Sequence, residues 1–392
     1  MFDLAAIQSA LRAEGFDAWL LCDFRGSNLL AQRIAGVEGK KLSRRWYYLI
    51  PAEGEPRRFV HAIEPGALDH LPGAKSVYRR WQELESGLQS LVKGHTKLAL
   101  EYSPRNGNPY ISRVDGGTVE LLRSFGVEPA SSGDLIQMFE AVWDADQAAS
   151  HFEAAAHTDS AYTMVWAFIA DEVFKKGHVM ERTVQARIMK HFSDHKMTTY
   201  SPPIVAMNAH SGDPHFENTD ANDLPIRKGD FVLVDLWAKM DRPRAVYSDL
   251  TRVAFVGDDV PEKFVTVFDI VARARDAAIK KVKDAFAAKQ VLLGHEVDAA
   301  AREIIEAAGY GDAFTHRTGH NIGQEVHGNG AHMDGLETRE DRRVLPGTCF
   351  SIEPGIYLKD FGVRLEVDVY VDAESQVHVT GGDLQFEVKT IR

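Results

Sequence analysis

Phe231-Val-Leu-Val-Asp-Leu-Trp-Ala-Lys-Met-Asp-Arg-Pro-Arg-Ala-Val-Tyr-Ser-Asp-Leu-Thr-Arg-Val-Ala-Phe255 consists of two apolar runs separated by a charged segment that holds Pro243. The runs read as strands, and the segment from Met240 to Arg244 as the tip of a hairpin. Each run carries one aspartate, Asp235 and Asp249. A carboxylate in an apolar strand is costly to bury unless it is paired or metal-bound. The hairpin is expected to set the two side by side on adjacent strands. Taken singly, each reads about as well as a strand-end carboxylate facing water.

Two more strands repeat the pattern. Glu353 closes the run Cys349-Phe-Ser-Ile-Glu353, which Pro354-Gly355 terminates. Glu366 sits within Val363–Val371, where Val363, Leu365, Val367, Val369 and Val371 point one way and Arg364, Glu366, Asp368 and Tyr370 the other. Alone, that polar face reads as solvated. Four acids embedded in apolar runs change the reading. If they converge, mutual repulsion forbids full ionisation without a cation, and a divalent metal is the simplest neutraliser.

The histidines point the same way. Thr315-His-Arg-Thr-Gly-His-Asn-Ile-Gly-Gln-Glu-Val-His-Gly328 carries His316, His320 and His327. Gly319, Gly323, Gly328 and Gly330 make a zinc helix improbable there, so the segment reads as a loop and strand approaching an ion or substrate. His215, in Asp213-Pro-His-Phe-Glu-Asn218, lies in a turn-rich stretch and joins the candidates. One such histidine is ordinarily structural; four in two short segments are harder to dismiss.

Around this centre, residues 145–392 alternate strands with four helical patterns: Phe152 to Val173 ending at Gly177, Val184 to Phe192, Phe264 to Val282, and Val297 to Ala308. That is an α+β arrangement of helices on a largely antiparallel sheet. Residues 1–144 read as a separate α/β domain with a partly parallel sheet. Its strands are Ala18–Cys22, Trp46–Ile50, Arg58–Ala62 and Lys97–Glu101, and its helices Trp81–Val92 and Val119–Phe125. No phosphate-binding or dinucleotide-binding glycine loop occurs, which disfavours an oxidoreductase.

Lys and Arg total 45 against 57 Asp and Glu, for a formal charge of -12, which argues against nucleic acid as a partner. No run approaches the roughly 20 apolar residues of a membrane span. The first helix (Leu4, Ile7, Leu11) lacks the basic and continuously apolar regions of a signal peptide. Cys22 and Cys349 both lie in apolar runs and read as buried free thiols. A cytoplasmic location is expected.

The order Asp235, Asp249, His320, Glu353, Glu366 resembles the metal-ligand order of the pita-bread metallopeptidases, which include methionine aminopeptidase, aminopeptidase P and Xaa-Pro dipeptidase (prolidase). The strings Ser248-Asp-Leu-Thr-Arg252, His316-Arg-Thr-Gly-His320, Ile352-Glu-Pro-Gly355 and Val363-Arg-Leu-Glu366 are similar too. The likeness covers about residues 150 to 380, and the preceding domain resembles that of the aminopeptidase P, prolidase and creatinase branch.

The resemblance implies two divalent ions, Asp235 chelating one, His320 and Glu353 the other, and Asp249 and Glu366 bridging. Mn²⁺ comes first, with Co²⁺, Zn²⁺ or Fe²⁺ compatible. It further implies that Glu353 moves a proton toward the leaving nitrogen and that His215 and His327 contact the substrate or its tetrahedral intermediate. His316 would line the pocket, and Arg364 would order the site or bind a substrate carboxylate. The substrate expected is a short proline-containing peptide, with a dipeptide slightly favoured, and the assembly a homodimer. The sequence departs from the pattern in a longer Asp235–Asp249 interval, in Trp237 where a small residue is usual, and in Asn321 where glycine is common. A metal-dependent non-peptidase on the same fold, such as a dimethylsulfoniopropionate lyase, shares the ligands and stays open. Retention of all five ligands argues against a creatinase-like hydrolase and a non-catalytic binding module.

Overall fold

A computed structural model describes residues 2–392. The chain forms two compact units that part between Phe139 and Glu140.

The first unit is built on a six-stranded mixed sheet in the order Ala74–Tyr78, Arg57–His61, Trp46–Pro51, Ala18–Asp23, Lys97–Leu100, Glu128–Ser131. The central Ala18–Asp23 strand is antiparallel to Trp46–Pro51 and parallel to Lys97–Leu100. It is buried along its whole length because both faces are covered: Trp19 and Leu21 enter one core, Ala18, Leu20 and Cys22 the other. The helix Trp81–Val92 matches the expectation at both ends. The next helix starts earlier than expected, at Gly116, because Asp115 caps it through the Thr118 N–H. The strands Ala74–Tyr78 and Glu128–Ser131 carry no apolar alternation and were not expected. The sheet edge recruits them through backbone hydrogen bonds.

In the second unit the helix Ala145–Lys176 opens on a reciprocal cap between Asp144 and Gln147 and closes at Gly177, whose φ of 90° suits glycine. It packs with the helix Glu181–Asp194 on one face of the Phe231–Met240/Ser248–Val256 hairpin, covering Val232, Val234, Leu236, Leu250 and Ala254. Phe152, expected in the apolar stripe, is 43% exposed. The helices Glu262–Ala287 and Gly294–Ala307 share a second core with Phe231, Leu233, Val253 and Phe255 from the opposite face. The hairpin is therefore buried on both sides.

A second sheet runs Asn321–Ile322, Cys349–Ile352, Val367–Val371, Val377–Thr380, antiparallel throughout. The expected single strand over Val363–Val371 is in fact two. Gly362–Arg364 pairs with Gly355–Tyr357, and Val367–Val371 pairs with Cys349–Ile352. Between them Glu366 makes an isolated bridge to Thr251 of the hairpin, so this segment is where the chain passes between sheets. That crossing overturns the solvated polar face: Arg364, Glu366, Asp368 and Tyr370 are all buried, between 0% and 6% exposed.

Candidate active site

The hairpin register pairs Asp235 with Thr251 and Trp237 with Asp249. Asp235 and Asp249 thus lie side by side on adjacent strands as expected, sharing a face diagonally and two residues apart in register. The extra residues at 241–247 lie beyond the paired positions and leave the ladder intact. Glu353 follows the Cys349–Ile352 strand, its N–H donating to Thr318 O at 2.7 Å. The glycine-flanked segment fixes His320: its N–H donates to Ser351 Oγ at 3.0 Å, and its carbonyl accepts from Ser351 N at 2.8 Å. A Cβ on Gly319 would meet Ser351 O at 1.9 Å, so only glycine permits this approach.

Asp249, His320 and Glu366 offer ligand atoms that all lie within 4.8 Å of one another. His320 Nε2 is 3.5 Å from Asp249 Oδ2 and 3.5 Å from Glu353 Oε1. Asp235 stands at the edge, with Oδ2 accepting from Arg364 Nη2 at 2.5 Å, and Arg364 Nε lies 4.0 Å from Glu353 Oε2. All five candidate ligands are thus brought together, with Asp249, His320 and Glu366 at the centre.

The electrostatics fit a cation. Burial, reinforced by Asp235, Asp368 and Glu353, pushes the Asp249 carboxyl well up, and burial with Asp249, Glu353 and Asp235 does the same to Glu366. Burial lifts Glu353 to about 7, with Asp235 adding and Arg364 opposing. Burial, with His327 and Arg317 adding, holds His320 far below its usual range, which leaves a neutral imidazole suited to ligation. Asp235 Oδ1, Asp249 Oδ1 and Glu366 Oε1 are buried with no hydrogen-bond partner among the described residues. Buried carboxylate oxygens are ordinarily satisfied, and oxygen-rich ligation with one imidazole is what a divalent ion requires.

The other candidates surround this cluster. His316 Nε2 lies 2.6 Å from the Tyr357 hydroxyl, and burial, with Arg364 adding, holds its ring at about 3. The His327 ring stands edge-on to His320 at 4.4 Å between centroids; the residue is exposed on one side, yet desolvation by the protein around the ring, with Arg317 adding, lowers it to about 4. His215 is exposed, on a turn tied by its N–H to Asp213 Oδ1 at 3.0 Å. Arg364 is buried and donates to Asp235, Thr251 Oγ1, the Tyr357 hydroxyl and Pro214 O. Every guanidinium nitrogen is engaged, so its geometry suits ordering the site better than capturing a substrate carboxylate.

Thr251, Tyr357, Ser351 and Asp368 also belong to the site and were not singled out from sequence. Thr251 Oγ1 donates to Glu366 Oε2 at 2.9 Å, and Ser351 Oγ to Glu353 Oε1 at 3.1 Å. Thr251, Ser351 and Asp368 lie inside strings quoted above without a role of their own, Asp368 on the face that reads as solvated. Tyr357 had no local signal. Asn321 proves to be a staple, its Nδ2 donating to Cys349 O and its Oδ1 accepting from Gly330 N, both at 2.8 Å. Trp237 is 9% exposed and stacks with Tyr200 at 6.0 Å and 29°.

The profile of metallopeptidase family M24 matches residues 149–373. Over 352 residues the chain is 28% identical to the probable dipeptidase PepE of Mycobacterium tuberculosis, covering 88% of this chain and 86% of that protein. A Xaa-Pro dipeptidase of Pyrococcus furiosus is 34% identical over 178 residues, 45% of this chain and 46% of its own. The crystal structure of dipeptidase PepE from Mycobacterium ulcerans aligns with a TM-score of 0.68 at 24% identity, covering 99% of this chain and 96% of the other. The fold is the pita-bread architecture of an α/β unit followed by an α+β unit.

Proposed function

The chain belongs to metallopeptidase family M24, and on that premise we propose that it hydrolyses Xaa-Pro bonds in short peptides, using two divalent ions held by Asp235, Asp249, His320, Glu353 and Glu366. The observation that carries the metal assignment is the set of three buried, unpartnered carboxylate oxygens beside a neutral imidazole. Bound there, divalent ions supply Lewis acidity toward the scissile carbonyl and ease the ionisation of water. Mn²⁺ is the ion we favour, from the predominance of carboxylate ligands.

The residues divide the remaining work. Glu353, which burial lifts to about 7 before any ion is bound, accepts a proton from the attacking water and delivers it to the departing nitrogen. His327 and His215 contact the carbonyl as it becomes tetrahedral. His316 and Tyr357, joined at 2.6 Å, line the leaving-group side, and Arg364 orients Asp235.

A prolyl bond lacks the N–H on which many peptidases rely, and direct polarisation of the carbonyl does without it. The Xaa-Pro dipeptidase of P. furiosus supports the same choice. Trp237, opposite Asp249 in register and stacked with Tyr200, narrows that side and supports short peptides, hence dipeptides over longer ones. We place the enzyme in the cytoplasm as a homodimer. Its two cysteines are buried and free, and no helix among the described residues is long and apolar enough to cross a membrane.

The test is a Mn²⁺-reconstituted assay on Ala-Pro, Met-Pro, Xaa-Pro-Yaa tripeptides, a Met-Ala control and dimethylsulfoniopropionate. Fastest cleavage of the Xaa-Pro dipeptides is expected, and none after chelation. Faster tripeptide cleavage would move the assignment to aminopeptidase P, and acrylate release without peptide cleavage to a lyase.

A further inference from the structure

The two carboxylates assigned as bridging come from different sheets. Asp249 lies in the hairpin strand Ser248–Val256, whereas Glu366 precedes the second-sheet strand Val367–Val371. A carboxylate that spans two ions tolerates little error, since paired ions sit about 3.5–4 Å apart. Something must therefore fix the seam between the sheets.

Beyond Ser248–Val256 on the side away from its hairpin partner, the parallel strand Lys389–Ile391 covers only Ala254–Val256. Gln385 clamps Val253 N and O, Arg364 Nε donates to Thr251 Oγ1, Thr251 Oγ1 donates to Glu366 Oε2, and two further contacts hold the backbone nearest the two carboxylates. One is the Thr251–Glu366 bridge, in which Glu366 N donates to Thr251 O at 3.0 Å. The other is Asp368, fully buried, whose carboxylate accepts from Asp249 N at 3.1 and 3.3 Å and from Ser248 Oγ at 2.9 Å. Behind them, Thr158 Oγ1 meets Ser248 Oγ at 2.9 Å, and His151 Nε2 lies 4.0 Å from Asp368 Oδ2.

We propose that Asp368 is a positioning residue that sets the spacing of Asp249 and Glu366 by gripping the Asp249 N–H and the Ser248 hydroxyl across the seam. It touches neither substrate nor ion; it acts through the bridge. The inference rests on the ligand assignment proposed above.

The test is Mn²⁺ binding by calorimetry together with the electron paramagnetic resonance signal of the loaded protein. Wild-type protein is expected to take up two ions with the signal of a spin-coupled pair. One ion or none in wild type would overturn the ligand assignment itself, and the inference with it. Asp368→Val should keep the first ion, weaken the second about 10- to 100-fold, and replace the coupled signal by that of isolated Mn²⁺. Asp368→Asn, which keeps an acceptor oxygen, should fall between, and Ser248→Ala should show a small loss in the same direction. If Asp368→Val does not fold, these two milder variants decide: the second ion must weaken while the first holds. A coupled signal and second-ion affinity unchanged in the Asp368 variants, or equal weakening of both ions in step with a lower thermal midpoint, would overturn the proposal.

Discussion

Asp249 and His320 are 3.5 Å apart, yet they are expected to fail differently when removed. A bridging carboxylate serves two ions, so Asp249→Asn should abolish turnover and lower both occupancies, whereas His320→Ala should weaken mainly one. Elemental analysis with peptide kinetics reads this, and near-normal metal and turnover in both variants would show the ligands to be misassigned. His215 and His327 lie outside the ligand set, so His215→Ala and His327→Ala should retain metal while kcat falls about 100-fold. Unchanged kinetics in both would reduce them to structural histidines. A third expectation follows from Glu353, which burial lifts to about 7. Below that pH the ion-free carboxyl carries a proton that an arriving cation must displace. Because burial also pushes the Asp249 and Glu366 carboxyls well up, metal affinity should rise with pH through about 7, with proton release on binding. Calorimetric titration in buffers of unlike ionisation enthalpy measures both quantities, and a pH-independent affinity would separate Glu353 from the ions.

At the scale of elements, the site depends on close approaches between a loop and a strand. The Gly319 Cα faces Ser351 O so closely that an added Cβ would sit 1.9 Å from it. Gly319→Ala should push the His320 segment off the Cys349–Ile352 strand, destabilise by about 1–3 kcal/mol, and cost metal at the His320 side. Asn321→Ala would strand Gly330 N and Cys349 O, with a similar loss of about 1–3 kcal/mol. Thermal unfolding with metal content checks both. Gly116→Ala, where nothing lies within 4 Å of the new Cβ, is the neutral control. These approaches also show why some elements were legible in sequence and others not. The helices Trp81–Val92 and Ala145–Lys176 carry their own periodicity and caps. The strands Ala74–Tyr78 and Glu128–Ser131 exist because a neighbouring strand offers hydrogen bonds, a cause that leaves no trace in their residues.

For the whole molecule, every candidate ligand and catalytic residue falls in the unit from Glu140 onward, which has hydrophobic cores of its own. Residues 140–392 expressed alone should therefore unfold cooperatively and bind Mn²⁺ as the full chain does. Circular dichroism and calorimetry test this, and an aggregated or metal-free fragment would contradict it.

The sequence by itself determined which acids and histidines sit in apolar or glycine-rich strings, and hence the family and the residues to consider, because burial cost and chain flexibility are local properties. It also determined most helices and the central strands, whose periodicity is local too. Only the tertiary structure decided that Asp235 and Asp249 lie diagonally, since register is set by two strands together. It likewise decided that Val363–Val371 divides between sheets, that its polar side is buried, and that Thr251, Tyr357 and Asp368 stand around the carboxylates. The Thr251–Glu366 and Asp249–Asp368 contacts join residues more than a hundred positions apart, and alternation within one strand cannot say whether the space beside it holds water or another sheet.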